Sequence, residues 1–207
     1  MNHVPLKGVT EGGGWARPCR HSVKVRTTAL RINGFTLIEL MITIAIAAIL
    51  AGLAAPAFQG VIANNRLKSH SSAMYSALLL ARSEAIKRNA SVALCKSIDG
   101  AVCVSTGGWQ QGWIVFHDAN GDGVHQVAET VIQRATSLSG NFSVGSTVAG
   151  SSTAVHHVSF VSSGSISQPS GLTFSVCNRA APGPARTIGL LITGRARMES
   201  ATVSTCA

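Results

Sequence analysis

The feature that most restricts how this chain can fold is a long apolar segment near its N-terminus. From Phe35 to Phe58 it contains one charged residue, Glu39. A helix of about 20 apolar residues is long enough to cross the hydrocarbon core of a bilayer. A secretory signal peptide is the alternative, but its apolar core is only about 7–15 residues long. The segment 35–58 therefore predicts a single transmembrane helix.

The distribution of charge predicts the orientation of this helix. The whole chain carries a formal net charge of +9. Six basic residues and one acidic residue lie in 1–34, so this flank contributes +5 and residues 35–207 contribute the other +4. Because positively charged flanks stay in the cytoplasm, we expect residues 1–34 there and the rest of the chain beyond the helix outside it.

Glu39, the one carboxylate in the apolar segment, predicts a positively charged partner. Burying it at mid-membrane would cost about 2.5–3.5 kcal/mol. The stretch GFTLIELMITIAIAAILAGLAAPAF closely resembles the N-terminus of type IV pilins and type II secretion pseudopilins. The resemblance implies that a prepilin peptidase cuts after Gly34, so that 1–34 is a leader, and methylates Phe35. It also implies that Glu39 pairs with the new amine of a neighbouring subunit, where the two charges offset one another. A plain signal anchor is the alternative.

Helical periodicity continues beyond Pro56, where a kink or break is expected. The apolar residues that recur at helical spacing are Leu67, Met74, Leu78, Ala81 and Ala85. A helix from Phe35 to about Asn89 would be on the order of 80 Å long. We expect residues 35–58 to serve the membrane and the filament core, and residues 59–90 to pack through this apolar stripe on a globular head.

Residues 91–207 are predicted to form that head from short strands. The runs SVALCK, GWIVF, ETVIQRATSL, FSVGS, HVSFVSS, LTFSVC, TIGLLIT and ATVSTC are separated by Gly, Ser, Asn and Pro. Such spacing is typical of antiparallel sheet. The predicted fold class is α+β, a type IV pilin-like lollipop with a long N-terminal helix packed on an antiparallel β head, and the resemblance to pilins implies the same fold.

The cysteines predict disulfides in an exported head. Cys19 lies in the predicted leader and would be lost on processing. The other four allow three pairings. We favour Cys95 with Cys103, which bracket a short loop, and Cys177 with Cys206, which end two predicted strands. A metal site is the alternative, but no C-x-x-C spacing or Cys/His cluster supports it.

The stretch DANGDGVHQVAE has the spacing of a calcium-binding loop. The residues that match the motif position for position are Asp118, Asn120, Asp122, Gly123 and Glu129. The flanks GWIVF and TVIQ predict strands and not the two helices of that motif, and Asn-Gly and Asp-Gly are typical of tight hairpins. GWIVFHDANGDG also resembles a structural hairpin of one pilin-like subgroup. We therefore prefer a structural turn and no cofactor, with calcium as the open alternative.

Near the C-terminus the sequence Gly194-Arg195-Ala196-Arg197, here called the GRAR stretch, suggests a phosphate-binding pair. Side chains two apart in an extended chain point the same way, so Arg195 and Arg197 can act together. A guanidinium binds phosphate through two parallel hydrogen bonds. Arg179 and Arg186, which flank a Pro-rich loop, could add to the pair. The alternative is an ordinary solvated basic turn.

Three words, LLLARSEAIKRNASVALC, GWIVFHDANGDG and ITGRARM, together resemble the FimT/GspH family over residues 34–207. The resemblance implies a minor pilin or pseudopilin of the bacterial inner membrane, with its head in the periplasm, that assembles with other minor and major pilins. In this family G-R-x-R marks FimT-like members that bind DNA in natural transformation, and it maps onto Gly194, Arg195 and Arg197. Phosphate contacts carry no sequence information, so binding of double-stranded DNA is expected to be non-specific.

Three functions therefore stay open. The first is a DNA-binding minor pilin that also primes or caps a type IV pilus. The second is a GspH-like pseudopilin of a type II secretion system, and the third is a structural minor pilin for adhesion or motility. The sequence contains no G-x-S-x-G word, no phosphate loop and no recognisable Ser/His/Asp pattern, which predicts that the protein is not an enzyme.

Overall fold

The computed structural model of the chain describes residues 34–180, 183–203 and 206, and for 53–57 and 203 only the backbone. The chain divides into two compact units, one that ends at Ile46 and one that begins at Ala47. Apart from Gly34, the predicted leader with Cys19 lies outside the described residues.

One helix, α1, spans Leu37–Arg88. It begins after Thr36, whose hydroxyl oxygen accepts a hydrogen bond from the backbone N–H of Glu39 at 3.2 Å. This caps one of the N–H groups that a helix start leaves unpaired. It ends at Arg88, and the next residue, Asn89, has a positive φ of 49°, as is typical just after a helix C-terminus. The helix is continuous through Pro56, so the break that we considered there does not occur. Proline removes one backbone hydrogen bond, and 52 residues of helix provide many others.

The N-terminal part of α1 is apolar and exposed. Every residue from Gly34 to Gly52 is exposed to solvent, including the large apolar residues Phe35, Ile44 and Leu50. Residues 53–57 of the predicted transmembrane segment fall where only the backbone is described. Within the described part of the chain, no helix combines the length and the apolar character needed to span a membrane.

In the described residues, eight strands and one short 3₁₀ helix, Trp109–Gln111, follow α1. The strands are β1 (Val92–Lys96), β2 (Trp113–His117), β3 (Val131–Ala135), β4 (Phe142–Val148), β5 (His157–Phe160), β6 (Leu172–Asn178), β7 (Gly183–Leu190) and β8 (Ala196–Val203). They form two four-stranded sheets with the orders β3-β2-β1-β5 and β4-β6-β7-β8. Every strand pair is antiparallel. The α+β prediction is confirmed, as is the β2–β3 hairpin around the DANGDG loop.

The main core lies among α1 and both sheets. All five residues of the predicted stripe on α1 are buried: Leu67, Met74, Leu78, Ala81 and Ala85. They belong to one cluster with Trp113 of β2, Phe174 of β6 and Ile188 of β7. A smaller cluster of Ala93, Cys95, Ile114 and Phe116 covers the other face of the first sheet. The period of 3.6 in α1 and of 2 in the strands thus brings the apolar side chains together.

The last hairpin differs from the prediction in its boundaries. The apolar run TIGLLIT predicts a strand that reaches Thr193, whereas β7 begins at Gly183 and ends at Leu190. The next strand was expected at 201–206, whereas β8 begins at Ala196. Strand pairing and not hydrophobicity sets these bounds, because Leu190 pairs with Ala196 and Gly183 with Val203. As a consequence, Arg197 lies within a strand.

Candidate nucleic-acid interface

The GRAR stretch begins in the turn between β7 and β8. The N–H of Gly194 donates to the carbonyl of Leu191 at 2.8 Å, and the N–H of Leu191 donates to the carbonyl of Arg195 at 3.0 Å. Gly194 has a φ of +73°, which glycine adopts without steric cost. A Cβ at this position would also overlap the carbonyl oxygen of Gly164. Glycine is therefore required both by its backbone conformation and by a close approach.

A second turn, residues 161–165, ties the GRAR stretch to α1. The carbonyl of Gly164 accepts a hydrogen bond from Nε of Arg82 on α1 at 3.1 Å. Just beyond it, the N–H of Ile166 donates to the carbonyl of Ile192 at 2.9 Å. The helix and the two turns therefore hold one another in place. We did not predict this role for Arg82, because its only signal in the sequence is a basic residue off the apolar stripe.

Arg195 and Arg197 point to the same side of the last hairpin, as the alternation of an extended chain predicts. Ala196 between them is 8% exposed and belongs to the core, so its two neighbours point away from the core and are exposed. Neither guanidinium has an ion-pair partner among the residues that the structure describes. Gly189 stands opposite Arg197, and an open recess of about 460 Å³ lies beside them.

The local charge of this surface is small. Glu199 lies two residues beyond Arg197, on the same face of β8, and lines the same recess. Two arginines and one glutamate leave a net charge of +1 on this strand and its turn. A polyanion held here would therefore be bound by specific guanidinium contacts and not by a broad positive field.

Arg186 lies on the opposite face of β7 from this pair. It lies two residues before the buried Ile188, on the same core-facing side of the strand, and is itself half-buried. Its side chain lines a recess together with Lys68 of α1. The alternation that brings Arg195 and Arg197 together thus separates them from Arg186.

Arg179 lies at the other end of the sheet. It follows β6, which ends at Asn178, whereas the first residue of β6, Leu172, pairs with Leu190 beside the GRAR turn. At about 3.3 Å per residue the length of β6 separates the two ends by about 20 Å. Arg179 therefore does not lie beside Arg195 and Arg197, the pair to which it could have added.

The DANGDG loop uses its acidic side chains to hold its own backbone. Asp118 Oδ2 accepts from the N–H of Gly123 at 3.1 Å, and Asp122 Oδ1 accepts from the N–H of Val124 at 2.8 Å. Glu129 Oε1 accepts from the N–H of Ala119 at 2.8 Å. Asn120 Nδ2 donates to Asp122 Oδ2 at 2.8 Å. Each of these contacts is made within the loop, as the preferred structural turn requires.

Asp118 is the most buried of these acids. It is fully buried, and burial raises the pKa of its carboxyl while the Gly123 N–H opposes the rise and nearby Glu129 adds to it. Its second oxygen, Oδ1, has no hydrogen-bond partner among the described residues. In the part of the chain that the structure describes, no three His, Cys, Asp or Glu side chains are arranged to hold a metal ion.

Among the cysteines that the structure describes, two disulfides are formed, in the pairing that we favoured. Cys95 is joined to Cys103 across a sequence separation of 8, and Cys177 to Cys206 across a separation of 29. The first covers the outer face of β1, where Cys103 packs against the smaller cluster. The second fixes the end of the chain to the last part of β6.

The residues predicted for processing and assembly lie at the start of α1. Gly34 and Phe35 precede the helix, and Phe35 is 79% exposed. Glu39 is exposed in the first helical turn, where a negative charge interacts favourably with the helix dipole. In the described residues it forms no ion pair, so its carboxylate is accessible to a group from another molecule.

Comparison with known proteins gives one family match that covers most of the head. A model described as type II transport protein GspH matches residues 70–194, and a model of the prokaryotic N-terminal methylation motif matches residues 30–55. No curated protein matches the sequence.

Solved structures of similar fold include two minor subunits. The type IV minor pilin FimU of Pseudomonas aeruginosa is 19% identical, with 70% of this chain and 97% of that chain covered and a TM-score of 0.55. The minor pseudopilin EpsH from the type II secretion system of Vibrio cholerae is 15% identical, with 65% and 97% covered and a TM-score of 0.46. At these identities the likeness to FimU supports the fold alone.

Proposed function

The chain belongs to the GspH family of type II transport proteins, and from this premise we infer that it is a filament subunit whose head binds double-stranded DNA through Arg195 and Arg197. Members of this family are minor pilins or pseudopilins, which are structural subunits. The protein is accordingly a minor pilin or pseudopilin of a type IV pilus or a type II secretion system, and it is not an enzyme.

The N-terminal segment supports assembly. It carries the methylation motif over residues 30–55, and from Phe35 to Gly52 its side chains are exposed and mostly apolar. Exposed apolar surface of this extent is typical of a membrane or protein interface. We propose that prepilin peptidase cleaves after Gly34 and methylates Phe35, that the segment inserts in the inner membrane with the head in the periplasm, and that Glu39 pairs with the amine of a neighbouring pilin.

One observation carries the proposal of DNA binding. Arg195 and Arg197 extend from the same side of a turn that is fixed by Gly194, the 161–165 turn and Arg82. Because neither has a competing partner among the described residues, both guanidinium groups can contact phosphates. The fixed turn sets the backbone positions of the two arginines before binding, so only their side chains lose conformational freedom when phosphate binds. With two phosphate contacts and no base contacts, the binding would be weak, non-specific and salt-sensitive.

The test is a titration of the full chain, purified in detergent, with fluorescent duplex DNA at several salt concentrations. Two phosphate contacts should give a slope of log K against log salt of about −1.8. Arg195→Gln and Arg197→Gln should each reduce the slope by about half. Arg186→Gln is the matched control, because it removes the same charge from the opposite face of β7. If it lowers the slope as much as the other two, or if none of the three does, the proposed interface is wrong.

A second function is supported by the family model itself, whose description is that of a type II transport protein. A secretion pseudopilin would use the same α1 and the same assembly steps but would act on protein export. Deletion of the gene separates the two. Loss of DNA uptake with normal secretion favours the pilus, and loss of secretion with normal uptake favours the secretion system.

A further inference from the structure

A cavity separate from the GRAR surface lies between the two sheets at the end of β1. It has a volume of about 430 Å³ and is bounded by the end of β1, the 3₁₀ helix and the edge strand β4. Three of its lining residues are basic or can become so: Lys96, His156 and Arg179. We propose that this cavity binds a small oxyanion, a carboxylate or a phosphate group.

Lys96 provides the first argument. Its side chain is 2% exposed, and its ammonium donates to the carbonyl oxygens of Ser105 at 3.0 Å and Gly107 at 2.7 Å. An ammonium has three N–H donors, so these two bonds leave one to use. Both partners are neutral, and a buried charge is costly unless an opposite charge compensates it. Burial accordingly lowers the pKa of Lys96.

The composition of the cavity provides the second argument. Among the described residues that line it, none is Asp or Glu. Lys96 also forms no ion pair within the described part of the chain. The positive charge of Lys96 acts on His156, whose pKa is lowered first by burial and then by this charge and that of His157. The described lining of the cavity therefore combines the Lys96 ammonium and the Arg179 guanidinium and has no carboxylate that would repel an anion.

The position of Lys96 explains how a charged residue came to be buried. It is the last residue of β1, and its side chain follows the alternation of Val92 and Leu94 toward the core. The chain of methylene groups packs there while the ammonium reaches the carbonyls of the 105–107 segment. An apolar residue at this position would only pack in the core, whereas the ammonium of Lys96 can also donate a hydrogen bond to a ligand.

The size of the cavity and the kinds of donor define the ligand class. The volume accommodates one small anionic group with part of the molecule that carries it. Arg179 can form two parallel hydrogen bonds with a carboxylate or phosphate, and Lys96 supplies a point charge. Arg179 is exposed and forms no ion pair among the described residues, so it is accessible to a ligand that enters from solvent. The group could belong to a free metabolite or to a side chain of another subunit.

The experiment titrates the full chain in detergent with inorganic phosphate and, separately, with acetate, and follows backbone amide shifts by NMR. Saturable shifts should appear at Gly107, Gly108 and Gly145. Arg179→Gln should weaken binding about tenfold, the effect expected for one lost charge-assisted hydrogen bond. Lys68→Gln removes one charge from an exposed site on α1 and should leave the affinity unchanged. Lys96→Met should abolish saturable binding if the variant folds; if it unfolds the chain, Arg179→Gln still tests the site.

Each result bears on the proposal. Binding of phosphate but not acetate assigns the site to phosphate groups, and binding of acetate assigns it to carboxylates. The proposal is overturned if neither anion gives saturable shifts, if the shifts lie elsewhere, or if Lys68→Gln weakens binding as much as Arg179→Gln. Because the readout does not involve DNA, failure of the proposed DNA interface would leave this result unaffected.

Discussion

Replacing Gly194 by alanine should destabilise the head by more than the strain of its backbone conformation. An L-residue held at a φ of +73° costs about 1–2 kcal/mol. The added Cβ would also overlap the carbonyl oxygen of Gly164, and forcing an extra carbon into a close-packed position costs about 1–3 kcal/mol. Separating the two turns would in addition weaken the bond between Ile166 and Ile192. We therefore expect a loss of about 2–5 kcal/mol in total.

Gly150 offers a matched control for this prediction. It has a similar φ of +79°, but a Cβ there would meet nothing within 4 Å. Gly150→Ala should therefore cost only the conformational term of about 1–2 kcal/mol. The difference between the two variants isolates the contact between the turns.

The assay is urea unfolding of the full chain in detergent, with the midpoint and slope compared among the parent and both variants. An unchanged slope with a lower midpoint reports a change in stability alone. If Gly194→Ala and Gly150→Ala lose the same stability, the close approach of the two turns is not important. In that case the fixed geometry that we assign to Arg195 and Arg197 would also lose its basis.

Three further predictions concern other parts of the chain. Glu39→Ala should leave the urea midpoint of the head unchanged but reduce incorporation into filaments, because the carboxylate is needed only between subunits; normal incorporation would contradict its role. Burial raises the pKa of Asp118 above its ordinary 3.8, so its contribution to stability is fully present below that pH and declines as the pH rises through the raised value. Urea unfolding at several pH values should therefore show the parent losing stability relative to Asp118→Asn between acid and neutral pH, and a constant difference would refute this. Replacing both Cys95 and Cys103 by serine should cost about 2–3 kcal/mol from the loop-entropy relation, and an unchanged melting temperature under non-reducing conditions would show that the bond is not needed for stability.

The helix and the number of strands could be predicted because each element has its own pattern of apolar residues in the sequence. The residues of the stripe from Leu67 to Ala85 are buried, as their spacing predicts, and each of the eight β-rich runs overlaps a strand. Local signals of this kind act within a few residues. The boundaries of β7 and β8 depend instead on which residues pair across the hairpin, and hydrophobicity alone placed them wrongly.

The arrangement of the site was only partly predictable. The same-side placement of Arg195 and Arg197 follows from local alternation, whereas the distant positions of Arg179 and Arg186 depend on the order of strands in the sheet. Lys96 was not predicted as a site residue, because the alternation of β1 indicates only that its side chain turns toward the core. The carbonyls of Ser105 and Gly107 that bind its ammonium lie in a loop that no local pattern connects to it.

The position of β8 at the end of its sheet has a further consequence. A strand in that position can present unpaired backbone groups, which are templates for pairing with the same strand of a second molecule. Arg197 and Glu199 place charges on this strand, and Arg195 lies just before it. Such charges discourage the edges of two sheets from pairing. In a filament the heads are held at high local concentration, where lateral joining would compete with ordered growth through the helices. Arg195 and Arg197 would then oppose edge-to-edge pairing of β8 between molecules, whether or not DNA is present. Apolar replacements at these two positions should make the isolated protein aggregate.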